Sequence, residues 1–282
     1  MLRSIKSYLN FLWNSKNQHG VHSPFVFDLV TKCFYDTKKY SEYSILKNYR
    51  KALLQSKNTI EVTDFGAGSR VFKSNTRAIN QIAKNAAISS KRAKLLFRLV
   101  NYFQPSSILE IGTSLGLATA ALSIGNPKAK ITTLEGCENT LAITKELFQV
   151  PSFKFPTNNI EFINTEFKAF LDNLKPETLN LKPETLNLKP ETLNFKPQIF
   201  DLIYFDGNHS KKATLDYFEL LLPTITNETV WIFDDINWSS EMAAAWGIIK
   251  KHPKVTVTID TFQWGIVFFR SEQEKEHFTI RV

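Results

Sequence analysis

Residues Ser106 to Leu122 read SSILEIGTSLGLATAAL, and this stretch decides the fold. Ile108, Leu109 and Ile111 make a short apolar run with a β-branched bias, which predicts a buried parallel strand. Gly112 and Gly116 then punctuate it, and good helix formers fill Leu117 to Ile124. Strand, glycine turn and helix set free backbone N–H groups and a positive helix end beside a ligand. A dinucleotide fingerprint needs glycines spaced G-x-G-x-x-G, but Ser114 and Leu117 hold its second and third places. What stands instead is Glu110-x-Gly112-x-Ser114-x-Gly116, with Thr113 inside the turn.

Outward from there, Lys130 to Leu134 predicts a second strand ending in Glu135, twenty-five residues beyond Glu110. A carboxylate at that strand tip accepts two donors side by side, as the hydroxyls of a ribose require. Asn139 to Gln149 predicts a helix and Ile160 to Asn164 a third strand, with Thr165 and Glu166 where an adenine contact would fall. Ile199 to Phe205 is a fourth strand ending in Asp206-Gly-Asn-His209-Ser210, with Ser210 capping a helix over Lys211 to Leu222. Thr229 to Phe233 ends in Asp234-Asp235, and Trp238 leads into a helix over Ser240 to Lys250. Val255 to Ile259 and Trp264 to Phe269 predict an antiparallel hairpin at the sheet edge.

The acid-and-glycine turn resembles motif I of the class I S-adenosylmethionine-dependent methyltransferases, with Ser114 in place of the middle glycine. The order of strand-end acids over about Lys91 to Arg270 is similar to the catechol and sugar O-methyltransferase branch. The resemblance implies an α/β fold with a doubly wound, mostly parallel seven-stranded sheet and an antiparallel C-terminal hairpin. It also implies S-adenosylmethionine as cofactor, held by Glu110, Gly112, Thr113, Ser114, Gly116, Glu135, Glu166 and Asp206. In that branch the acids ending the fourth and fifth strands hold a divalent metal, which carries over to Asp206, Asp234 and Asp235. Three carboxylates at adjacent strand ends repel one another unless a hard cation sits among them. Mg²⁺ there would orient an acceptor hydroxyl and lower its pKa. Asp206 and His209 are the catalytic candidates. His209 reads equally as general base or as a helix-start residue bonded to nearby backbone. Trp238 would offer a flat face to the substrate, a small hydroxyl compound.

The resemblance omits the first ninety residues, which read as a helical extension. Leu2, Ile5, Leu9 and Leu12 recur at helical spacing, as in a helix docked by its apolar stripe or one lying on a membrane surface. His19 and His22 flank a turn at Gly20, and Ser23 with Pro24 predicts a helix start, although the same residues suit a loop near an active site. Asp64-Phe-Gly66-Ala-Gly68 imitates a nucleotide turn but lacks a second strand ending in an acid, so residues 64–70 read as a loop that can fold over the site. LysProGluThrLeuAsnLeu recurs from Lys175, Lys182 and Lys189, the last copy ending in Phe195. A proline every seventh residue forbids a coiled coil, so residues 175–195 read as a surface-loop insertion in a domain running from 91 to 282.

Composition agrees with a globular chain: 282 residues, 43% apolar, and no run as long as a membrane span. Cys33 and Cys137 lie in no metal or redox spacing, which favours a reduced, cytoplasmic setting. A net charge of +8 invites nucleic acid or an anionic surface, yet no basic block occurs. Neither an Asn/Asp-Pro-Pro-Tyr nor a Pro-Cys is present, which argues against base methylation. RNA ribose methylation and a non-catalytic, cofactor-binding or membrane-peripheral module remain as alternatives.

Overall fold

The computed structural model describes residues 2–65, 74–174 and 198–282. The glycines of the 64–70 loop and the 175–195 repeat lie outside the described residues. From the N-terminus come α1 (Leu2–Asn14), α2 (Pro24–Leu29) and α3 (Glu42–Gln55). A two-stranded antiparallel ribbon follows, β1 (Thr59–Glu61) with β2 (Thr76–Ala78), then α4 (Ile79–Asn85) and α5 (Ser90–Phe103). Strands and helices then alternate as β3 (Ser107–Ile111), α6 (Leu117–Gly125), β4 (Lys130–Glu135), α7 (Glu138–Phe148), β5 (Ile160–Asn164) and α8 (Phe167–Asn173). The chain closes with β6 (Leu202–Phe205), α9 (Lys211–Leu221), β7 (Val230–Phe233), α10 (Ser240–Lys251), β8 (Val257–Asp260), β9 (Gly265–Phe268) and β10 (Glu276–Thr279).

The main sheet has eight strands in the order β10-β8-β9-β7-β6-β3-β4-β5. All neighbours pair in parallel except β9, which is antiparallel to both β7 and β8. The predicted hairpin is therefore present, but it is not the edge: β9 inserts beside β7, and the extra strand β10 covers β8. Strand order reverses between β3, which leads outward to β4 and β5, and β6, which leads the other way. Open α/β sheets bind ligands in the crevice at such a switch point, outside the carboxyl ends of the strands. The central strands β6 and β7 are buried throughout, as their unbroken apolar runs require of strands covered on both faces.

The N-terminal helices belong to the same core. Val26, Leu29, Tyr49 and Leu53 are buried in one cluster with Ile108, Tyr204 and Ile232 of the sheet. Ser23 caps α2 by accepting from the Val26 amide, with Pro24 at the first helical position. Lys16 donates its amide to Thr279, which ties the N-terminal segment to β10. Helix α1 docks through Phe11, whose ring lies 5.5 Å from Phe262. Ile5, Leu9 and Trp13 of its apolar stripe stay exposed, Trp13 by 91%. Among the described residues no helix is long and apolar enough to cross a membrane.

Candidate active site

The glycine turn is built where β3 ends. Gly112 and Thr113 both donate their amides to the Leu134 carbonyl of β4, at 3.0 Å each, and Gly116 donates to Thr113. Gly112 has φ +106°, and a Cβ there would stand 2.4 Å from the Asp206 carbonyl oxygen, so no other residue fits. Ser114, in the middle position, also takes the left-handed conformation with φ +47°. Its amide donates to Glu135 Oε2 at 2.8 Å and its carbonyl accepts from Thr144 Oγ1 at 2.8 Å. Tyr49 of α3 donates to the Leu115 carbonyl at 2.8 Å, so the N-terminal extension braces the turn.

Glu135 stands at the tip of β4 and also accepts the Cys137 amide on Oε1, at 2.9 Å. Burial raises its pKa, and the backbone N–H bonds oppose that rise. The Gly136 amide adds a third backbone contact to the carboxylate. Glu110 is placed differently. Its side chain is fully buried beneath the turn, where Oε2 accepts from Thr119 and Thr133, at 2.5 Å each. Burial pushes its carboxyl up to about 8, and Oε1 has no partner. Thr113 is buried against Thr133, 2.6 Å between hydroxyl oxygens. Glu166 and Thr165 line a cavity of about 310 Å³ with Phe65, Gly136, Phe167 and Asn208. Phe65 rests so close on Gly136 that a Cβ would meet its ring at 2.7 Å, which brings the described start of the 64–70 loop to the cavity rim.

The acids of β6 and β7 lie next to the turn. Asp206 follows β6, with its carboxyl raised well above the usual range by burial and then by Asp234 and Asp235. Its Oδ1 is 3.6 Å from His209 Nε2, and the His209 ring faces Trp238 with centroids 6.0 Å apart. Asp235 sits in the left-handed region at φ +54°. Burial and the Asp234 charge push its carboxyl up to about 6. Asp234 is 2% exposed and saturated with donors. Arg92 Nη1 reaches its two oxygens at 2.7 and 3.0 Å, Tyr204 Oη donates at 2.7 Å, and the Asp235 amide donates at 2.7 Å. Burial works against the Arg92 charge, and Asp234, Tyr204 and Asp235 outweigh it, so its pKa is raised. The Arg92 Nε–H is buried without a partner.

Sequence reading missed Arg92 and Tyr204. Arg92 lies in the first turn of α5, where Ser89 caps the helix by accepting the Arg92 amide. Tyr204 is hidden inside the apolar run of β6. The one available signal was chemical: three acids need a cation, and an arginine is one. The expected metal does not fit the side chains as they stand. A carboxylate has about four lone-pair sites, and three donors make four contacts with Asp234, two on each oxygen. Among the described residues no three His, Cys, Asp or Glu side chains converge as metal ligands.

Comparison with known proteins agrees with the fold. Residues 109–236 match the family model of a methyltransferase domain, Methyltransf_24. No curated protein matches the sequence. Among solved structures, the chain is similar to the S-adenosylhomocysteine-bound methyltransferase PaMTH1 of Podospora anserina: 13% identity, TM-score 0.55, covering 89% of this chain and 97% of that one. The O-methyltransferase of Bacillus cereus with S-adenosylhomocysteine shares 18% identity at TM-score 0.51, covering 84% and 95%. The O-methyltransferase TomG of Streptomyces achromogenes, with S-adenosylmethionine, shares 14% at TM-score 0.53, covering 86% and 95%. At these identities the structures speak for the fold alone. Residues 109–236 are therefore similar to a methyltransferase domain, carried on an eight-stranded, mostly parallel sheet.

Proposed function

We propose that this chain methylates a hydroxyl of a small molecule with S-adenosylmethionine. One observation carries the reading: Glu135 and the Gly112–Gly116 turn are locked side by side by the Ser114 amide. That arrangement sets a strand-end carboxylate beside a glycine turn, as an adenosyl group needs. Gly112, Thr113, Ser114 and Gly116, whose amides are bonded within the protein, would hold the cofactor by close approach of the turn, and Glu135 through the ribose hydroxyls. Glu166 would hold it from the cavity that Phe65 closes, and Asp206 from below Gly112. Glu110 would act from beneath the turn, as a buried support for Thr119 and Thr133. Bound there, the cofactor supplies a methyl group on an electrophilic sulfonium.

The protein's own work is orientation and proton removal. Trp238 and His209 form the acceptor side, where the indole offers a flat face to a ring or sugar. His209 would take the hydroxyl proton on Nδ1, while its Nε2 faces Asp206 Oδ1 at 3.6 Å. Metal assistance is left out of this reading, because both Asp234 oxygens are already engaged by Arg92, Tyr204 and the Asp235 amide.

Calorimetry with S-adenosylhomocysteine tests the first half. Binding should be in the micromolar range, and Glu135→Ala should weaken it by about 1–3 kcal/mol through loss of a charged acceptor. No binding to the wild-type chain would end the proposal. A panel of catechols, sugars and short RNAs, read by S-adenosylhomocysteine release, tests the second half. Turnover of RNA alone would move the chain to ribose methylation.

A further inference from the structure

The cluster of acids at the ends of β6 and β7 holds its own cation. Asp206, Asp234 and Asp235 lie at the carboxyl ends of neighbouring strands, and three such charges in one enclosed site require compensation. Arg92 supplies it from α5, 142 residues away in sequence from Asp234. Its Nη1 forks onto both Asp234 oxygens, at 2.7 and 3.0 Å, and lies 3.9 Å from Asp235 Oδ1. With Tyr204 and the Asp235 amide added, Asp234 is fully bonded without an ion. The arginine is held in place rather than draped over the surface. Its side chain is 19% exposed, and its backbone is fixed in the capped first turn of α5.

We infer that Arg92 takes the place of a divalent metal in this site, so that methyl transfer here is metal-independent and Arg92 is a positioning residue for the acid cluster. The inference rests on the reading above for the location of the acceptor side, but its charge argument needs only the side chains named. A guanidinium is planar and permanently charged, with donors spaced to match a carboxylate, so it is well suited to fixing Asp234. A divalent ion would have to displace the forked Nη1 contact from Asp234 and tolerate a buried positive charge a few ångströms away. Removing the guanidinium reverses the balance. It leaves Asp234 buried without its cation and Asp235 without the guanidinium 3.9 Å away, and carboxylate oxygens freed in that way attract a hard ion.

Mn²⁺ alone is the probe, followed by electron paramagnetic resonance on the full chain, with S-adenosylhomocysteine affinity measured in EDTA alongside. The wild-type chain should bind Mn²⁺ no better than about 1 mM, and its melting temperature should be the same in Mn²⁺ and in EDTA. Arg92→Ala should melt lower in EDTA, regain stability with Mn²⁺, and bind the ion at least about tenfold more tightly than wild type. Arg92→Lys keeps the charge and should stay as indifferent to Mn²⁺ as the wild type. Stoichiometric wild-type binding of Mn²⁺ at micromolar concentration would overturn the inference, as would an Arg92→Ala chain that folds and gains no affinity. Should Arg92→Ala not fold, the wild-type titration decides by itself. Absence of S-adenosylhomocysteine binding in EDTA and in Mn²⁺ alike would instead count against the proposed function, and the Mn²⁺ titrations would still judge Arg92.

Discussion

Glu110→Gln should make the protein less sensitive to rising pH. Glu110 is fully buried, and burial pushes its carboxyl from 4.5 up to about 8. In the unfolded chain the same group titrates near its ordinary value. Between those two pH values the folded protein holds a proton that the unfolded chain has released. Stability therefore falls as pH rises through this window and is flat on either side of it. The window spans 3.5 pH units (8 minus 4.5), and at 1.36 kcal/mol for each the ceiling is about 5 kcal/mol. Glutamine keeps the shape and an acceptor oxygen for Thr119 and Thr133, but it cannot lose a proton. Urea unfolding of both proteins at intervals from pH 5 to pH 9 isolates the effect, because other buried acids such as Asp206 and Asp235 are common to the two. The stability of wild type relative to Glu110→Gln should drop by several kcal/mol across that range, of the order the ceiling allows. A flat difference would refute the reasoning and show that Glu110 is ionised in the folded protein at neutral pH.

The scaffold of this site was legible in the sequence, and the cation in its middle was not. An apolar run before Gly112 and an acid closing the next strand are local patterns, and β3, the turn and Glu135 fall where those patterns put them. Strand β10 was not legible, because a four-residue segment flanked by Gln273, Glu274 and Lys275 becomes a strand only when the edge of β8 is there to pair with it. Periodicity showed that α1 has an apolar stripe, but not which part of it is covered. Phe262, at φ +75°, projects toward Tyr8 and Phe11 and leaves Ile5, Leu9 and Trp13 bare. Repulsion among Asp206, Asp234 and Asp235 called for a hard cation, and the charge that stands beside Asp234 is the Arg92 guanidinium. Whether that charge is an ion or an arginine depends on how the N-terminus of α5 meets the end of β7, and no spacing in the chain encodes that meeting.

His209→Ala should lower kcat by about 10²–10⁴ while leaving S-adenosylhomocysteine affinity unchanged, since a general base acts on the acceptor; unchanged kcat would leave His209 a helix-start residue. Tyr204→Phe should cost about 1–3 kcal/mol in urea unfolding, because it strips a buried donor from Asp234. Gly112→Ala should cost at least as much, with its Cβ driven toward the Asp206 carbonyl at 2.4 Å, and a fully stable variant would show that the turn shifts freely. Ser114→Gly separates backbone from side chain in the turn. Serine pays for φ +47°, where glycine does not, at about 1–2 kcal/mol, while glycine gives back roughly 0.4–1 kcal/mol through the freer unfolded chain. The net should be a gain of between zero and about 1.5 kcal/mol. Cofactor affinity should be unchanged, because both contacts of Ser114 to the site, its amide to Glu135 and its carbonyl from Thr144, are backbone groups that glycine keeps. A tenfold or greater loss of affinity would mean that the Ser114 hydroxyl itself touches the cofactor, about 1.4 kcal/mol that the backbone account does not contain.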